Sequence, residues 1–132
     1  MELRGAVVAI TGASAGIGSA CARAFARAGA RLALCARRRE QLDALAAELG
    51  AAGTEVLVAA VDVADEGQVQ GFVRSAVQRF GRLDVLINNA GYGLRGRVEE
   101  TPAEGYRRLM EVNYLGTVYG CQAALPVMKA QR

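Results

Sequence analysis

The sequence predicts an α/β fold in which helices cover both faces of an open parallel sheet, a doubly wound arrangement. Short apolar segments of strand length alternate with longer segments whose apolar residues recur every three or four positions, as on one face of a helix. A glycine-rich turn, residues 11–18, joins the first strand to the first helix. Because crossovers between parallel strands are right-handed, few topologies remain, and we expect the strand order 3-2-1-4.

The composition favours one domain with an aliphatic core. The chain has 132 residues, of which 52% are hydrophobic and only 5% aromatic, which suits helices packed on a buried parallel sheet. The net charge is +3 and the arginines are dispersed apart from residues 37–39, so no nucleic-acid partner is predicted. The N-terminal apolar stretch is too short for a signal peptide or a membrane span, and we expect no membrane partner.

The cysteine and histidine counts exclude two kinds of site. With three cysteines in no paired spacing and no histidine, the chain offers neither a zinc site nor a His-dependent triad, and we expect no metal. We interpret Cys21, Cys35 and Cys121 as buried thiols of a cytoplasmic protein.

The strands and the first two helices are predicted from periodicity and from glycine stops. The strands cover residues 6–10, 31–35, 55–60 and 84–87. The apolar residues of the first helix share one face: Ile17, Cys21, Ala24, Phe25 and Ala28. We expect Gly29 to end that helix. The second helix has its apolar face at Leu42, Leu45, Ala46 and Leu49. We expect it to stop near Gly50.

The last two helices carry start signals. Asp65 and Gln68 have capping-box spacing at the start of the third helix, which Gly81 ends. Its apolar face comprises Val69, Phe72, Val73, Ala76 and Phe80. In the fourth helix Thr101 is expected to be the cap, with Pro102 in the first position and Glu104 in the third. That helix is expected to run to about Lys129, with a kink or a new turn at Pro126.

The predicted topology places a ligand crevice between the first and fourth strands, where the strand order reverses. The glycine turn and the segment 88–91 (Asn-Asn-Ala-Gly) both open onto it. Glycines let backbone N–H groups approach a diphosphate, and the following helix N-terminus favours negative charge. This predicts a nucleotide cofactor; the alternative is a tight turn without a ligand.

The end of the second strand favours NADP over NAD. NAD sites usually place a carboxylate there for the ribose 2′-hydroxyl, but here Ala36 is followed by Arg37 and Arg38. Arg37 can hold a 2′-phosphate with charge-assisted hydrogen bonds. The alternative is that residues 37–39 are solvated residues at a helix start.

Two further segments suit a dinucleotide. After the third strand, Asp62 can accept a hydrogen bond from the adenine amino group while Val63 packs against the ring; alternatively, Asp62 only closes a turn. In segment 88–91 the two amides can bridge neighbouring strands and the cofactor ribose, while Ala90 and Gly91 leave room for a flat ring. The alternative is a turn that is rich in Asn for conformational reasons.

Together, Thr11-Gly12-x-x-x-Gly16-x-Gly18, Asp62, the segment 88–91 and Val112-Asn113 resemble the short-chain dehydrogenase/reductase family over the whole chain, in order and at the usual spacing. The resemblance implies a Rossmann-type fold and a pyrophosphate site formed by the turn residues Gly12, Ser14, Gly16, Ile17 and Gly18. It also implies that Asp62 meets the adenine, that Asn89 lies against the ribose, and that Arg37 marks an NADP-preferring member.

The resemblance also assigns Asn113 to a catalytic tetrad, in which it holds a water that links an active-site Lys to a proton relay. The alternative is a buried structural amide bonded to a neighbouring strand. The family's Ser and its Tyr-x-x-x-Lys pair do not occur in these 132 residues. We therefore expect residues 1–132 to be the N-terminal, cofactor-binding portion of a longer domain, truncated before a fifth strand and inactive alone.

The sequence is compatible with three functions. The leading hypothesis is an NADP-dependent oxidoreductase that transfers hydride between nicotinamide and a small carbonyl or alcohol substrate. The second is a catalytically silent nucleotide-binding fragment. A Rossmann-type methyltransferase is disfavoured, because such sites generally use an acid after the second strand. The small residues Gly116, Gly120 and Ala123 of the last helix suggest a homo-oligomer formed through that helix.

Overall fold

The computed structural model describes residues 2–131, which contain one parallel sheet of four strands. These are β1 (Val7–Thr11), β2 (Arg31–Ala36), β3 (Val56–Ala60) and β4 (Val85–Ile87). The sheet order is β3-β2-β1-β4, which confirms the predicted fold class and strand order. The observed strand ends lie within one residue of the predicted ones. Of the predicted domain 1–132, Met1 and Arg132 lie outside the described residues.

Helices cover both faces of the sheet. The helices are α1 (Gly16–Arg27), α2 (Arg39–Ala51), α3 (Glu66–Phe80), α4 (Ala103–Met110) and α5 (Gly116–Ala130). Side chains alternate along β1 and β2: Val8 and Ile10 belong to the core beneath α1 and α2, whereas Val7 and Ala9 face α3 and α5. This two-sided burial explains why the strands read as continuous apolar runs.

A glycine with positive φ follows each of the first three helices. Gly29 (φ +83°) and Gly81 (φ +78°) follow α1 and α3 in the left-handed conformation, as predicted. The second helix ends at Ala51, near Gly50 as predicted, and Gly53 (φ +91°) makes the turn that follows, with Thr54 N–H donating to the Leu49 carbonyl.

The first helix is rotated relative to the prediction. Ile17 is 76% exposed and Ala24 is also exposed, whereas Gly18 and Ala22 are buried. The reason is that Gly18 packs closely against the glycine turn, which sets the face that α1 turns towards the sheet. The predicted apolar faces of α2 and α3 are confirmed, apart from partial exposure of Ala46.

The start of the third helix is confirmed in part. Asp65 caps α3, since its Oδ1 accepts from Gln68 N–H at 3.0 Å. The Gln68 side chain does not return to the cap backbone. Its Oε1 instead accepts from Asp62 N–H at 2.8 Å, which ties the helix to the end of β3.

The prediction of the last helix is wrong at its start. Thr101 ends a short 3-10 turn (Val98–Glu100), and its hydroxyl donates to the Arg97 carbonyl at 2.8 Å, so Pro102 occupies the cap position without a side-chain cap. The helix also contains a π-helical turn, Glu111–Leu115, between α4 and α5. Pro126 does not break it, because α5 continues to Ala130.

Of the three cysteines, Cys35 is buried, whereas Cys21 and Cys121 are partly buried. Burial raises the pKa of the Cys35 thiol to about 12, against a smaller lowering by a backbone hydrogen bond from Gly12, so this thiol stays protonated at neutral pH. Between residues 2 and 131 no helix has the length and apolar character needed to cross a membrane.

Candidate functional site

A cleft of about 430 Å³ lies at the carboxyl ends of the strands, where the order reverses between β1 and β4. Most of the predicted cofactor-binding residues line it: Gly12, Ser14, Gly16, Ile17, Arg37, Asp62, Val63, Asn89, Ala90 and Gly91. Gly18 and Asn113 do not line the cleft but contact residues that do: Gly18 packs against Gly12 and Asn89, and Asn113 binds the backbone of Tyr92. The structure thus brings together residues that lie up to about 80 positions apart in the sequence.

The three glycines of the turn have different surroundings. A Cβ on Gly12 would stand 2.8 Å from the Ala90 Cα, and one on Gly18 would overlap the Gly12 carbonyl oxygen and come within 2.6 Å of Asn89 Nδ2. A Cβ on Gly16 (φ +55°) would meet nothing within 4 Å. Gly12 and Gly18 therefore allow close packing of protein against protein, and Gly16 alone faces open space.

The start of α1 suits an anion. Its cap residue, Ala15, supplies no side-chain hydrogen bond, and its first turn contains no acidic residue. The N–H groups of that turn are therefore available, and the helix dipole places partial positive charge beside Ser14 and Gly16. These features fit the pyrophosphate of a dinucleotide.

Thr11 and Asn89 hold the turn against the end of β4. The Thr11 hydroxyl oxygen accepts from Asn89 N–H at 3.1 Å and from Ala90 N–H at 3.0 Å. The Asn89 Nδ2 donates to the carbonyls of Thr11 and Gly12 at 3.0 and 3.1 Å. The amide thus bridges neighbouring strands, as the residue pattern suggested. Thr11 belongs to the predicted motif, but its role as acceptor for two backbone N–H groups was not predicted.

Asn88, by contrast, points away from the cleft. Its Nδ2 lies 3.5 Å from Cys121 Sγ, and its buried Oδ1 finds no hydrogen-bond partner among residues 2–131. A Cβ on Gly120 would overlap this oxygen, which explains the glycine at that place in α5. Asn88 therefore joins β4 to α5 and leaves ligand contact to Asn89.

The end of β2 presents two cations to the cleft. Arg37 and Arg38 are exposed and line the cleft beside Ala36, and neither forms an ion pair within the described part of the chain. Arg39 instead pairs with Asp43 at 3.0 Å and faces solvent. Arg39 thus fits the alternative of a solvated helix start, whereas Arg37 and Arg38 are equally exposed but line the cleft.

Asp62 both closes a turn and forms an ion pair. Its Oδ1 accepts from Ala64 N–H at 3.0 Å, and its Oδ2 accepts from Arg108 Nη2 at 2.7 Å. Burial raises the pKa of this carboxyl, but the hydrogen bonds from Arg108 and Ala64 and the charges of Arg108 and Arg37 outweigh it, so the net pKa is below the ordinary value. Asp62 is therefore an acceptor of hydrogen bonds at neutral pH.

Asn113 lies in the π-helical turn and is only partly buried. Its Oδ1 accepts from Tyr92 N–H at 3.0 Å, and its Nδ2 donates to the Tyr92 carbonyl at 2.7 Å. The amide thus binds the loop after β4, which resembles the structural alternative except that the partner is a loop rather than a strand. A Cβ on Gly91 would lie 3.1 Å from Asn113 Oδ1, which explains the small residue there.

The pairing of Asp62 with Arg108 was missed in the sequence, because these residues lie 46 positions apart and no local pattern links them. Arg38 also lines the cleft, although the sequence pattern assigns a role only to Arg37. Among the described residues no group of three or more His, Cys, Asp or Glu side chains is arranged to hold a metal.

The sequence of residues 6–132 matches the family described as short chain dehydrogenase. The chain is 44% identical over 136 aligned residues to dehydrogenase/reductase SDR family member 7B of Bos taurus, covering 98% of this chain and 42% of that protein.

Two solved structures are similar in fold. An alcohol dehydrogenase from the archaeon Thermococcus sibiricus, complexed with 5-hydroxy-NADP, matches with a TM-score of 0.91 and 42% identity, over 95% of this chain and 54% of that one. A short chain dehydrogenase/reductase from Burkholderia phymatum, in complex with NAD, matches with a TM-score of 0.97 and 35% identity, over 99% of this chain and 47% of that one. The chain thus spans about half the length of the proteins it resembles.

Proposed function

The chain belongs to the short-chain dehydrogenase family, and we propose that the protein is an NADP-dependent oxidoreductase. It would transfer hydride between the nicotinamide and a small carbonyl or alcohol substrate. NADPH, when bound, supplies the hydride. The residues described here would bind and orient the dinucleotide: the α1 N-terminus at the pyrophosphate, Asp62 and Val63 at the adenine, and Asn89 beside the ribose.

The observation that carries the cofactor preference is the pair Arg37 and Arg38 beside Ala36. Both guanidinium groups line the cleft, and the strand end between β2 and α2 has no carboxylate to repel a phosphate. The structural relatives are complexed with NADP-type and NAD-type dinucleotides alike, so fold similarity does not decide between the cofactors. The charge at this strand end favours NADP.

Assembly and location form part of the proposal. Large apolar or aromatic side chains are exposed along the last helix: Tyr106, Met110, Tyr114 and Leu125. They support a homo-oligomer formed through this helix. Gly116 and Gly120, two of the small residues that suggested such packing, are buried against Val63 and Asn88 of the same chain, so packing within the chain accounts for their small size. The free cysteines are those of a reducing compartment, and we propose the cytoplasm.

The test replaces Arg37 by Ala in the full-length natural protein. A hydrogen bond to a charged group contributes about 1.5–3 kcal/mol, so Arg37→Ala should weaken NADPH binding about ten- to a hundredfold and NADH binding less than about threefold. Titration calorimetry with both nucleotides measures the two dissociation constants.

Arg39→Ala is the matched control, since Arg39 belongs to the same charge run but does not line the cleft. It should leave both constants unchanged. Equal losses of both nucleotides in Arg37→Ala, or a wild-type protein that prefers NADH, would contradict the proposed NADP preference.

A further inference from the structure

Arg108 approaches the adenine side of the cleft from behind. It belongs to α4 and does not line the cleft, yet its Nη2 donates to Asp62 Oδ2 at 2.7 Å. Its Nη1 lies 3.5 Å from Glu111 Oε2, one turn further along the same helix. The guanidinium is thus held by its own helix while it contacts a residue of the cleft wall.

The Asp62 carboxylate is held by both of its oxygens. Oδ1 accepts from Ala64 N–H and Oδ2 from Arg108, so the two bonds come from different elements and fix the plane of the group. Each oxygen keeps a second lone pair, which leaves acceptor capacity for a ligand. Without Arg108, only the local turn would orient this side chain.

The backbone around Asp62 is also fixed. Asp62 N–H donates to Gln68 of α3, and Val63 packs against α5 at a position where a Cβ on Gly116 would stand only 2.9 Å from Val63 Cγ2. The close packing leaves the backbone of the cleft wall little room to shift. The orientation of the carboxylate is then set by its two hydrogen bonds, from Ala64 and from Arg108.

We propose that Arg108 is a positioning residue for base recognition. It holds the Asp62 carboxylate in the orientation that accepts a hydrogen bond from the 6-amino group of adenine, and so sets the preference for an adenine dinucleotide. The inference rests on the proposed function, because it assumes that a dinucleotide occupies the cleft. A rigid acceptor gains more from the correct base than one that must be ordered on binding.

The experiment compares two probes on the full-length natural protein: NADPH, and its analogue with hypoxanthine in place of adenine, which lacks the 6-amino group. Dissociation constants are measured by calorimetry. The wild type should bind NADPH about tenfold more tightly than the analogue, at the lower end of what a hydrogen bond to a charged group contributes. Arg108→Gln should weaken NADPH binding about five- to tenfold and change binding of the analogue less than twofold.

Two further variants separate positioning from a general structural effect. Arg107→Gln is the matched control, because Arg107 is the neighbouring exposed arginine of α4 and pairs with Glu104 instead. It should leave the adenine preference unchanged. Arg108→Lys keeps a cation within reach of Asp62 and should restore most of the preference. If Arg108→Gln does not fold, Arg108→Met, which also removes the cation from Asp62, takes its place with the same expected loss of preference.

A loss of adenine preference in Arg108→Gln, with recovery in Arg108→Lys, supports the inference. An unchanged or larger preference, or equal weakening of both probes, overturns it. A wild-type protein that binds NADPH without distinguishing the analogue also overturns it and leaves the proposed function standing. A wild-type protein that binds neither probe overturns the proposed function itself.

Discussion

At the residue scale, Gly16 and Gly18 differ sharply although they lie in one turn. A side chain on Gly18 would meet protein on two sides, whereas one on Gly16 would enter open space beside the cleft. The sequence pattern predicts that the backbone of both glycines approaches a pyrophosphate. Only Gly16 borders open space in which such a group could lie. Gly18 allows α1 to pack closely against Asn89, and such a contact between distant residues cannot be predicted from the local sequence pattern.

We expect Gly18→Val to lower the free energy of unfolding by about 3 kcal/mol, because overpacking of this size typically costs about 1–3 kcal/mol. Gly16→Val should cost less, about 1–2 kcal/mol from the left-handed backbone alone, while abolishing NADPH binding. Urea unfolding and nucleotide titration measure the two effects.

Gly50→Ala is the control for these substitutions. Gly50 lies inside α2 with nothing within 4 Å of an added Cβ, so alanine there should raise stability by about 0.5–1 kcal/mol. Equal destabilisation by the two valine variants would show that the glycines of the turn are not divided in this way.

At the scale of elements, predictability follows the distance over which each signal acts. Helix α3 was predicted closely because its cap, apolar face and glycine stop are all local. The fourth helix was misplaced because Thr101 hydrogen-bonds back to Arg97 instead of capping α4. The π-helical turn at Asn113 accompanies hydrogen bonds to Tyr92, 21 residues earlier, and periodicity contains no information about such a contact.

One carboxylate links the N-terminal ends of β1 and β4. Asp84, just before β4, accepts from Val7 N–H of β1 at 2.8 Å and pairs with Arg82 at 2.6 Å. The hydrogen bond from Arg82 lowers the pKa of this carboxyl, Val7 N–H and the charges of Arg82 and Arg31 lower it further, and burial opposes them. The net pKa is below the ordinary value, so the ionised form stabilises the fold.

A lowered pKa in the folded state fixes the sign of the pH dependence. The stabilisation is fully present above the unfolded pKa of about 3.9 and is lost as pH falls through the lower folded value. We expect Asp84→Asn to cost about 1–3 kcal/mol at pH 7 and to reduce the loss of stability between pH 5 and pH 2. Urea titrations across this range measure both quantities.

Asp43→Asn is the comparison for Asp84→Asn. It removes a carboxylate from the exposed pair with Arg39, in which both side chains are more than half exposed, and should change stability by less than about 1 kcal/mol. If Asp84→Asn behaved like Asp43→Asn at neutral pH, the carboxylate between β1 and β4 would not be a structural anchor.

At the scale of the whole molecule, one edge of the described sheet stands out. β4 pairs only with β1, so its other edge is unpaired among residues 2–131, and its side chains Val85, Leu86 and Ile87 are half-buried. Unpaired apolar strand edges promote association. Asn88, at the end of β4, keeps a buried oxygen without a partner within the described residues. Both features are unfavourable for the stability of the described part of the chain.

We therefore expect residues 1–132, expressed by themselves, to associate and to lack turnover. Association follows from the β4 edge and from the exposed Leu125 and Tyr114 of the last helix. Lack of turnover follows because no Tyr-x-x-x-Lys pair occurs in these residues, and an Asn side chain does not donate a proton at neutral pH. Light scattering at increasing concentration and NADPH oxidation with a panel of ketones and aldehydes measure the two properties, with the full-length natural protein assayed alongside.

A monomeric mass that stays constant as the concentration rises would contradict the first expectation. Turnover above background would contradict the second and would require another proton donor, for which Tyr92, the tyrosine that lines the cleft, is the first residue to replace.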